Sequence, residues 1–246
     1  MNTRAIRGII TVTEKDIRIY YTKAPVLIFG LLFPFFMFIA FYMGRKISFQ
    51  EFYPGLLAMS LFFTASSVGP LITPWEKSFR TYERLLSFPV TVFTILLGDI
   101  AAGMLFGVIV NVVVLGAGLA FTHYSIQYFA LILGIILGSF CFSSLGVFLS
   151  SFSGRAPSNV MMMSSLVRFP MIFISGVFIP LQGMQGFLKS LAFISPLTYL
   201  VDLLNYSLRG GSLLHPVASA GVLVGFSLLF MYCSHLAHKK NLLKGL

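Results

Sequence analysis

VFTILLGDIAAGMLFGVIVNVVVLGAGLAF, residues 92–121, holds one charged side chain, Asp99, in thirty positions. A bilayer core of about 30 Å takes about 20 apolar helical residues, so this run crosses it with length to spare and has room to tilt. A barrel strand would be short and would alternate polar and apolar positions; this run does neither. Reading outward gives five more runs of span length: Pro25 to Met43, Phe52 to Ile72, Tyr128 to Ser151, Val160 to Ile179 and Val217 to Ser234. The fold class is therefore an all-α integral membrane protein with six transmembrane helices. Composition agrees: the 246 residues are 57% hydrophobic and 10% charged, with mean hydropathy +0.92. A soluble domain carries about 25% charged residues. An ordinary soluble domain, a disordered chain and a basic nucleic-acid binder are excluded, the last because the net charge of +10 is not spread over a wet face.

The cations alternate by side. Arg4, Arg7, Lys15, Arg18 and Lys23 precede the first run. Lys77, Arg80 and Arg84 lie between the second and third, Arg155 between the fourth and fifth, and Lys239, Lys240 and Lys244 after the sixth. These are 12 of the 17 Lys and Arg. Arg45, Lys46, Lys189 and Arg209 fall on the other side, and Arg168 lies within the fifth run. The positive-inside rule places both termini in the cytoplasm of a multi-pass plasma-membrane protein. Residues 1–24 have no apolar core and carry both charge signs, so the first run reads as a retained signal-anchor.

Three regions are not spans. Residues 4–22 place Ile6, Ile9, Ile10, Ile17, Tyr20 and Tyr21 on one helical face and Arg4, Arg7, Glu14, Lys15 and Arg18 on the other, the pattern of an interfacial amphipathic helix over 1–24. Residues 73–89 open with Thr73-Pro74-Trp75-Glu76, which has the form of a capping box. Trp75, Phe79, Tyr82, Leu85 and Leu86 follow at helical spacing among charged residues, and Pro89 ends the run. This cytoplasmic helix either rests on the membrane or docks a partner, for which aromatic and Arg side chains are the usual anchors. From Ser175 to Pro216 the apolar sequence is broken by Gly and Pro. Two short helices fit, Phe187–Ile194 and Leu197–Leu208, as re-entrant or interfacial pieces on the outer side.

Asp99 and Arg168 are the ionisable residues inside spans, and such residues are functional candidates by default. Their depths differ, which argues against a direct pair. Gly103/Gly107, Gly134/Gly138 and Gly221/Gly225 are GxxxG pairs that permit close helix approach. Cys141 and Cys233 lie in apolar runs without metal or redox spacing. His235 and His238 read with Lys239 and Lys240 as a cationic surface tail. There is no G-x-x-x-x-G-K-[ST], HExxH or GxSxG, and the seven acids are dispersed along the chain. No catalytic, cofactor or metal site is expected. The inventory suits a conduit driven by something else.

Two motifs carry a family resemblance. Glu83-Arg84-Leu85-Leu86-Ser87-Phe88-Pro89-Val90 is similar to an E-x-L-L-x-x-P-V ending, and Phe173-Ile174-Ser175-Gly176-Val177-Phe178-Ile179-Pro180 with Ser195-Pro196-Leu197-Thr198-Tyr199-Leu200-Val201-Asp202 to F-x-S-G-x-x-x-P … P-L-T-Y-x-x-[DE]. With the span layout, these resemble the membrane subunit of ABC type-2 exporters across nearly the whole chain. The family often has Gly-Thr before E-x-L-L, whereas here Arg80 precedes Thr81, which implies a helix that starts earlier and runs straighter. The resemblance implies one transmembrane domain, 1–246, with an elbow helix (1–24), a coupling helix (73–89) and an extracellular re-entrant segment (180–211). It implies two ABC ATPase subunits as partners, holding ATP and Mg that this chain does not bind. A second permease copy or a paralogue and the surrounding lipid complete the assembly, with no nucleic acid. ATPase contacts would be Trp75, Glu76, Phe79, Arg80, Tyr82, Glu83, Leu86 and Arg155. The extracellular gate would comprise Gly176, Phe178, Pro180, Pro196 and Tyr199. Phe62, Phe63, Asp99, Met162, Arg168 and Phe173 would line a pathway for an apolar or amphipathic cargo, Phe62, Phe63, Met162 and Phe173 because their side chains suit such a cargo. The alternative is an ion-coupled secondary transporter or half-transporter, which needs ionisable groups at mid-depth.

Overall fold

The computed structural model describes residues 3–43, 48–88, 90–120, 124, 126–152 and 157–243. Among them every regular element is helical. In chain order these are α1 (Thr3–Tyr20), α2 (Ala24–Leu27), a π-helical stretch (Ile28–Leu32), α3 (Phe33–Met43), α4 (Phe49–Ser67), α5 (Gly69–Ser78) and α6 (Thr81–Leu86). There follow α7 (Val92–Leu119), α8 (Tyr128–Ser150), α9 (Pro157–Ile174), a 3-10 turn (Leu181–Gly183), α10 (Phe187–Ala192), α11 (Pro196–Arg209) and α12 (Pro216–Leu243).

Among the described residues four stretches are long and apolar enough to cross a membrane: Phe49–Ser78, Val92–Leu119, Tyr128–Ser150 and Pro216–Lys240. The other two apolar runs are helical as well. The first is interrupted by the π stretch ahead of Pro34, and α9 holds both Arg168 and Pro170 within 18 residues. α12 runs past the expected end at Ser234, so His235, His238, Lys239 and Lys240 form its last turns rather than a surface tail. His238 is buried. Its Nδ1 lies 2.9 Å from the Ser234 carbonyl oxygen, and its Nε2 lies 3.3 Å from Ser150 Oγ and 3.5 Å from Thr73 Oγ1. A helix end that its apolar pattern left open is thus held by polar side chains of α5 and α8.

α4 is sheathed by protein on nearly all sides, and α8 packs against α4, α5, α7, α11 and α12. A helix apolar all round is a buried one. The core, which includes Tyr53, Leu57, Leu61 and Leu200, joins Phe62 to Phe142 edge to face at 4.9 Å. α7 and α12 instead leave most of their surface outward, including Ile109, Val113 and Leu228. Gly103 and Gly107 seat α7 on α4: a Cβ on Gly107 would stand 2.8 Å from the Cβ of Ala65. Gly221 and Gly225 face open space, so that pair closes no contact among the described residues.

Candidate functional site

At one end of the bundle α1 lies across the first turns of α7. A Cβ on Gly98 would stand 2.6 Å from Val12, so the missing side chain lets the two backbones approach, and Thr13 Oγ1 donates to the Gly98 carbonyl at 3.1 Å. This crossing carries Asp16 inward. Its side chain is fully buried, as are those of Asp99 on α7 and Glu76 on α5. Lys15 Nζ bonds Glu76 Oε1 and lies 2.9 Å from Asp16 Oδ1. Asp16 and Asp99 are near enough for each carboxyl to feel the other's charge. The seven acids are dispersed in sequence, but three of them converge here around one ammonium. Only the crossing of α1, α5 and α7 brings them together, which is why the sequence hides them.

The charges in this cluster do not balance. Burial alone would lower the pKa of Lys15, but Asp16 and Glu76 outweigh it and hold the amine above its ordinary value. Burial pushes the Asp16 carboxyl above the usual carboxylate range even with Lys15 beside it. Two carboxyls that meet in a buried site do so favourably when one keeps its proton. Tyr21 is buried nearby, and its phenol is pushed up by burial and by Asp16 and Asp99. The cluster is thus a polar bolt through the junction of α1, α5 and α7.

Aromatic rings close the same junction. Tyr20 stacks on Trp75 at 5.5 Å, and Lys23 Nζ sits over the rings of Trp75 (4.5 Å), Tyr20 (5.2 Å) and Phe79 (5.6 Å). Cations over aromatic faces are held by the ring quadrupole. α1 and α5 are therefore joined twice, once by charge and once by rings.

The helix expected over 73–89 takes a different form. Thr73 and Pro74 are interior to α5, which begins at Gly69 with Pro70 in its first turn. Thr73 caps nothing, and its hydroxyl lies 3.3 Å from Ser150 Oγ. α5 ends at Ser78, and Arg80 takes the left-handed conformation (φ 55°) before α6. The straight helix implied by Arg80 in place of Gly is not formed: the chain bends where a glycine would bend it. Glu76 and Tyr82 are buried within the chain, Tyr82 with its phenol pushed up by burial, Asp99 and Glu76. They support the outer face rather than form it. Trp75 is half-buried under Tyr20 and Lys23, whereas Phe79 and Arg80 point outward. Arg84 and Phe88 are exposed as well, and Phe88 falls outside the helical spacing of the aromatic residues before it. The side chains of Glu83 and Leu86, and the whole of Arg155, lie outside the described residues.

At the opposite end, α10 and α11 occupy the expected short-helix positions. Thr198 Oγ1 donates to the Ala192 carbonyl and Tyr199 OH to the Phe193 carbonyl (2.9 Å), tying the first turn of α11 to the end of α10. Asp202 accepts from the Leu213 and Leu214 amides (2.6 and 3.2 Å) and the Ser219 hydroxyl (3.0 Å), which pins the link to α12. The Pro-Leu-Thr-Tyr-x-x-Asp motif is a set of fastenings. Gly176 takes a left-handed φ of 85° and turns the chain after α9. Gly176, Phe178 and Pro180 line a cavity of about 410 Å3 with Glu51, Asn205 and Arg209; Pro196 is buried and not on it.

The six pathway candidates separate. Phe62 and Phe63 are fully buried in the core, and Asp99 belongs to the junction cluster. Met162 and Phe173 are exposed on α9. Arg168 is buried, with Nε donating to the Ser164 carbonyl (3.3 Å), its guanidinium 5.9 Å from the Phe63 ring and Nη1 without a hydrogen-bond partner. Among the described residues no ion pair joins Asp99 to Arg168.

The profile of the ABC-2 type transporter family matches residues 8–208, from the elbow crossing to the end of α11. The inner membrane transport permease YadH of Escherichia coli strain K12 is 26% identical over 182 residues, 74% of this chain and 71% of that one. Nodulation protein J of Rhizobium meliloti strain 1021 is 27% identical over 197 residues, 77% of this chain and 72% of that one. Both the elbow junction and the fastened α10–α11 segment fall inside the matched region, and from these observations together the chain belongs to the ABC-2 type transporter family, as a transport permease subunit of an ABC transporter.

Proposed function

We propose that this permease is the membrane half of an ATP-driven exporter for an apolar or amphipathic cargo. Two separate ATPase subunits supply the energy, and a second permease copy or paralogue completes the pathway. The observation that carries the reading is the junction of α1, α5 and α7. A push on the outward face at Phe79, Arg80, Arg84 and Phe88 is passed into α7 through Lys15, Asp16, Glu76 and Asp99 rather than lost in a loose loop. Six crossings with both termini in the cytoplasm put that face on the ATPase side. The cavity at Gly176, Phe178 and Pro180 is then the extracellular gate, and the exposed α9 side chains Met162 and Phe173 face the cargo. An ion-coupled carrier needs its ionisable groups at mid-depth, whereas Asp99 serves a junction between helix ends.

Co-expression with the cognate ATPase tests this reading. Phe79→Ala with Phe88→Ala should reduce co-purified ATPase at least tenfold while the permease keeps its thermal stability. Undiminished assembly and transport in that double variant would sink the docking face.

A further inference from the structure

A groove of about 460 Å3 lies between the π-helical stretch, α4 and α7, on a different face of α4 from the Gly176 cavity. We infer that it is a binding site for one acyl chain of a bilayer phospholipid. This goes beyond the ATP-driven reading and does not depend on it.

Its length fits one leaflet. Phe49, Tyr53, Leu56 and Ser60 line it from α4 at helical spacing. Eleven residues of helix rise about 16 Å. Half of a hydrocarbon core of about 30 Å is nearly the same. The far wall is Val113, Ala117 and Gly118 of α7. α4 and α7 both belong to stretches able to cross a membrane, so the groove opens to hydrocarbon. Leu32, Phe35 and Val113 stand exposed at its rim.

Its chemistry excludes water as the filling. Tyr53 and Ser60 are the only polar side chains among those lining it. The Tyr53 hydroxyl is committed to the Val114 and Leu115 carbonyls at 3.1 and 3.0 Å. A water needs two to four polar partners, and an apolar cavity stays dry. The medium at this depth that can fill it is a lipid tail.

Two local features keep the groove open. The Phe33 amide bonds back to the Ile28 carbonyl, five residues earlier, and Pro34 has no N–H to offer. This widened turn carries Leu31 and Leu32 onto the groove, and π-helical turns recur at functional sites. At Gly118 a Cβ would stand 2.0 Å from Tyr53 Cε2, so only a residue without one lets the ring seat against α7 at the floor of the groove.

The test uses the full chain in nanodiscs of phosphatidylcholine doped with phosphatidylcholine carrying a diazirine on one acyl chain. After illumination the labelled peptides are mapped by mass spectrometry. Labelling of residues 31–35, 53–60 and 113–118 should exceed that of the exposed α12 face at Leu228 and Leu229 at least fivefold. Ala117→Phe, which projects a ring into the groove, should remove that excess, and Leu228→Phe should leave it. Uniform labelling of the wild-type circumference would overturn the site without any variant. So would an excess that persists in Ala117→Phe, that is chased out by ATP turnover with the partner ATPase, as a cargo would be, or that is replaced by cross-links to a second copy.

Discussion

At the residue scale the most informative position is Asp16. Burial pushes its carboxyl above the ordinary value, so the folded chain holds this proton more tightly than the unfolded chain does. A raised folded-state value means stability that is complete at low pH and is lost as pH climbs from 3.8 through the raised value. Thermal unfolding of the purified permease should therefore show an Asp16-dependent rise in the midpoint as pH falls through the raised value toward 3.8. Asp16→Asn keeps a neutral polar group there. It should raise the midpoint at pH 8 and flatten this dependence; an unchanged slope would remove Asp16 as its source. Lys15→Met leaves three buried acids without their cation and should cost about 3 kcal/mol or more, because breaking a buried pair strands the remaining charge. Arg80 is a separate case. It occupies the left-handed region, where a side chain costs about 1–2 kcal/mol relative to a residue without a Cβ. Arg80→Gly should raise stability by about 1 kcal/mol and, if the guanidinium touches the ATPase, weaken assembly at the same time. Measuring both separates the backbone role from the side-chain role.

At the element scale the apolar runs were legible wherever length and hydrophobicity decide the matter. α7 and α8 begin at the expected Val92 and Tyr128, and α10 and α11 begin within a residue of expectation, because the Gly and Pro that bound them act locally. Thr73-Pro74-Trp75-Glu76 misled for the opposite reason. A capping box is a local signal, but the apolar run ahead of it packs on α8 and carries the helix through Pro74, an interior position of α5 where proline gives up one backbone hydrogen bond. The bolt of Lys15, Asp16, Glu76 and Asp99 was illegible, since residues 15, 76 and 99 meet only through tertiary crossing. Asp202 shows a motif whose family pattern was visible and whose purpose was not. It closes the link between α11 and α12 with three accepted hydrogen bonds. Asp202→Ala strands two backbone amides, and a bond to a charged acceptor contributes about 1.5–3 kcal/mol. The variant should lose about 3 kcal/mol in denaturant unfolding. Asp202→Asn should lose less, because a carbonyl oxygen remains to accept.

At the scale of the whole molecule, two helical segments decide how many times the chain crosses the membrane. α4 with α5, α7, α8 and α12 are long and apolar enough alone, so an even count of six requires residues 24–43 and α9 to cross as well. Both carry a cost. The first contains the π stretch, and α9 buries Arg168 with one guanidinium nitrogen unpaired. A buried cation on a lipid-crossing helix is tolerated when it faces protein, and Arg168 does, against Phe63 of the core. Six crossings place Ser78 and Ser87 on one side of the bilayer and Lys189 and Ser212 on the other. In a background with Cys141 and Cys233 replaced by Ser, single cysteines at these four positions, 78, 87 and 212 exposed and 189 half-buried, make the count measurable in intact cells. A membrane-impermeant maleimide should label positions 189 and 212 from outside and reach 78 and 87 only after permeabilisation. If α9 did not cross, position 189 would be shielded along with 78 and 87, while 212 would follow the orientation of α12. A pattern of that kind would reduce the count below six and move the Gly176 cavity off the extracellular face, so the same four labels test the span number and the gate assignment together.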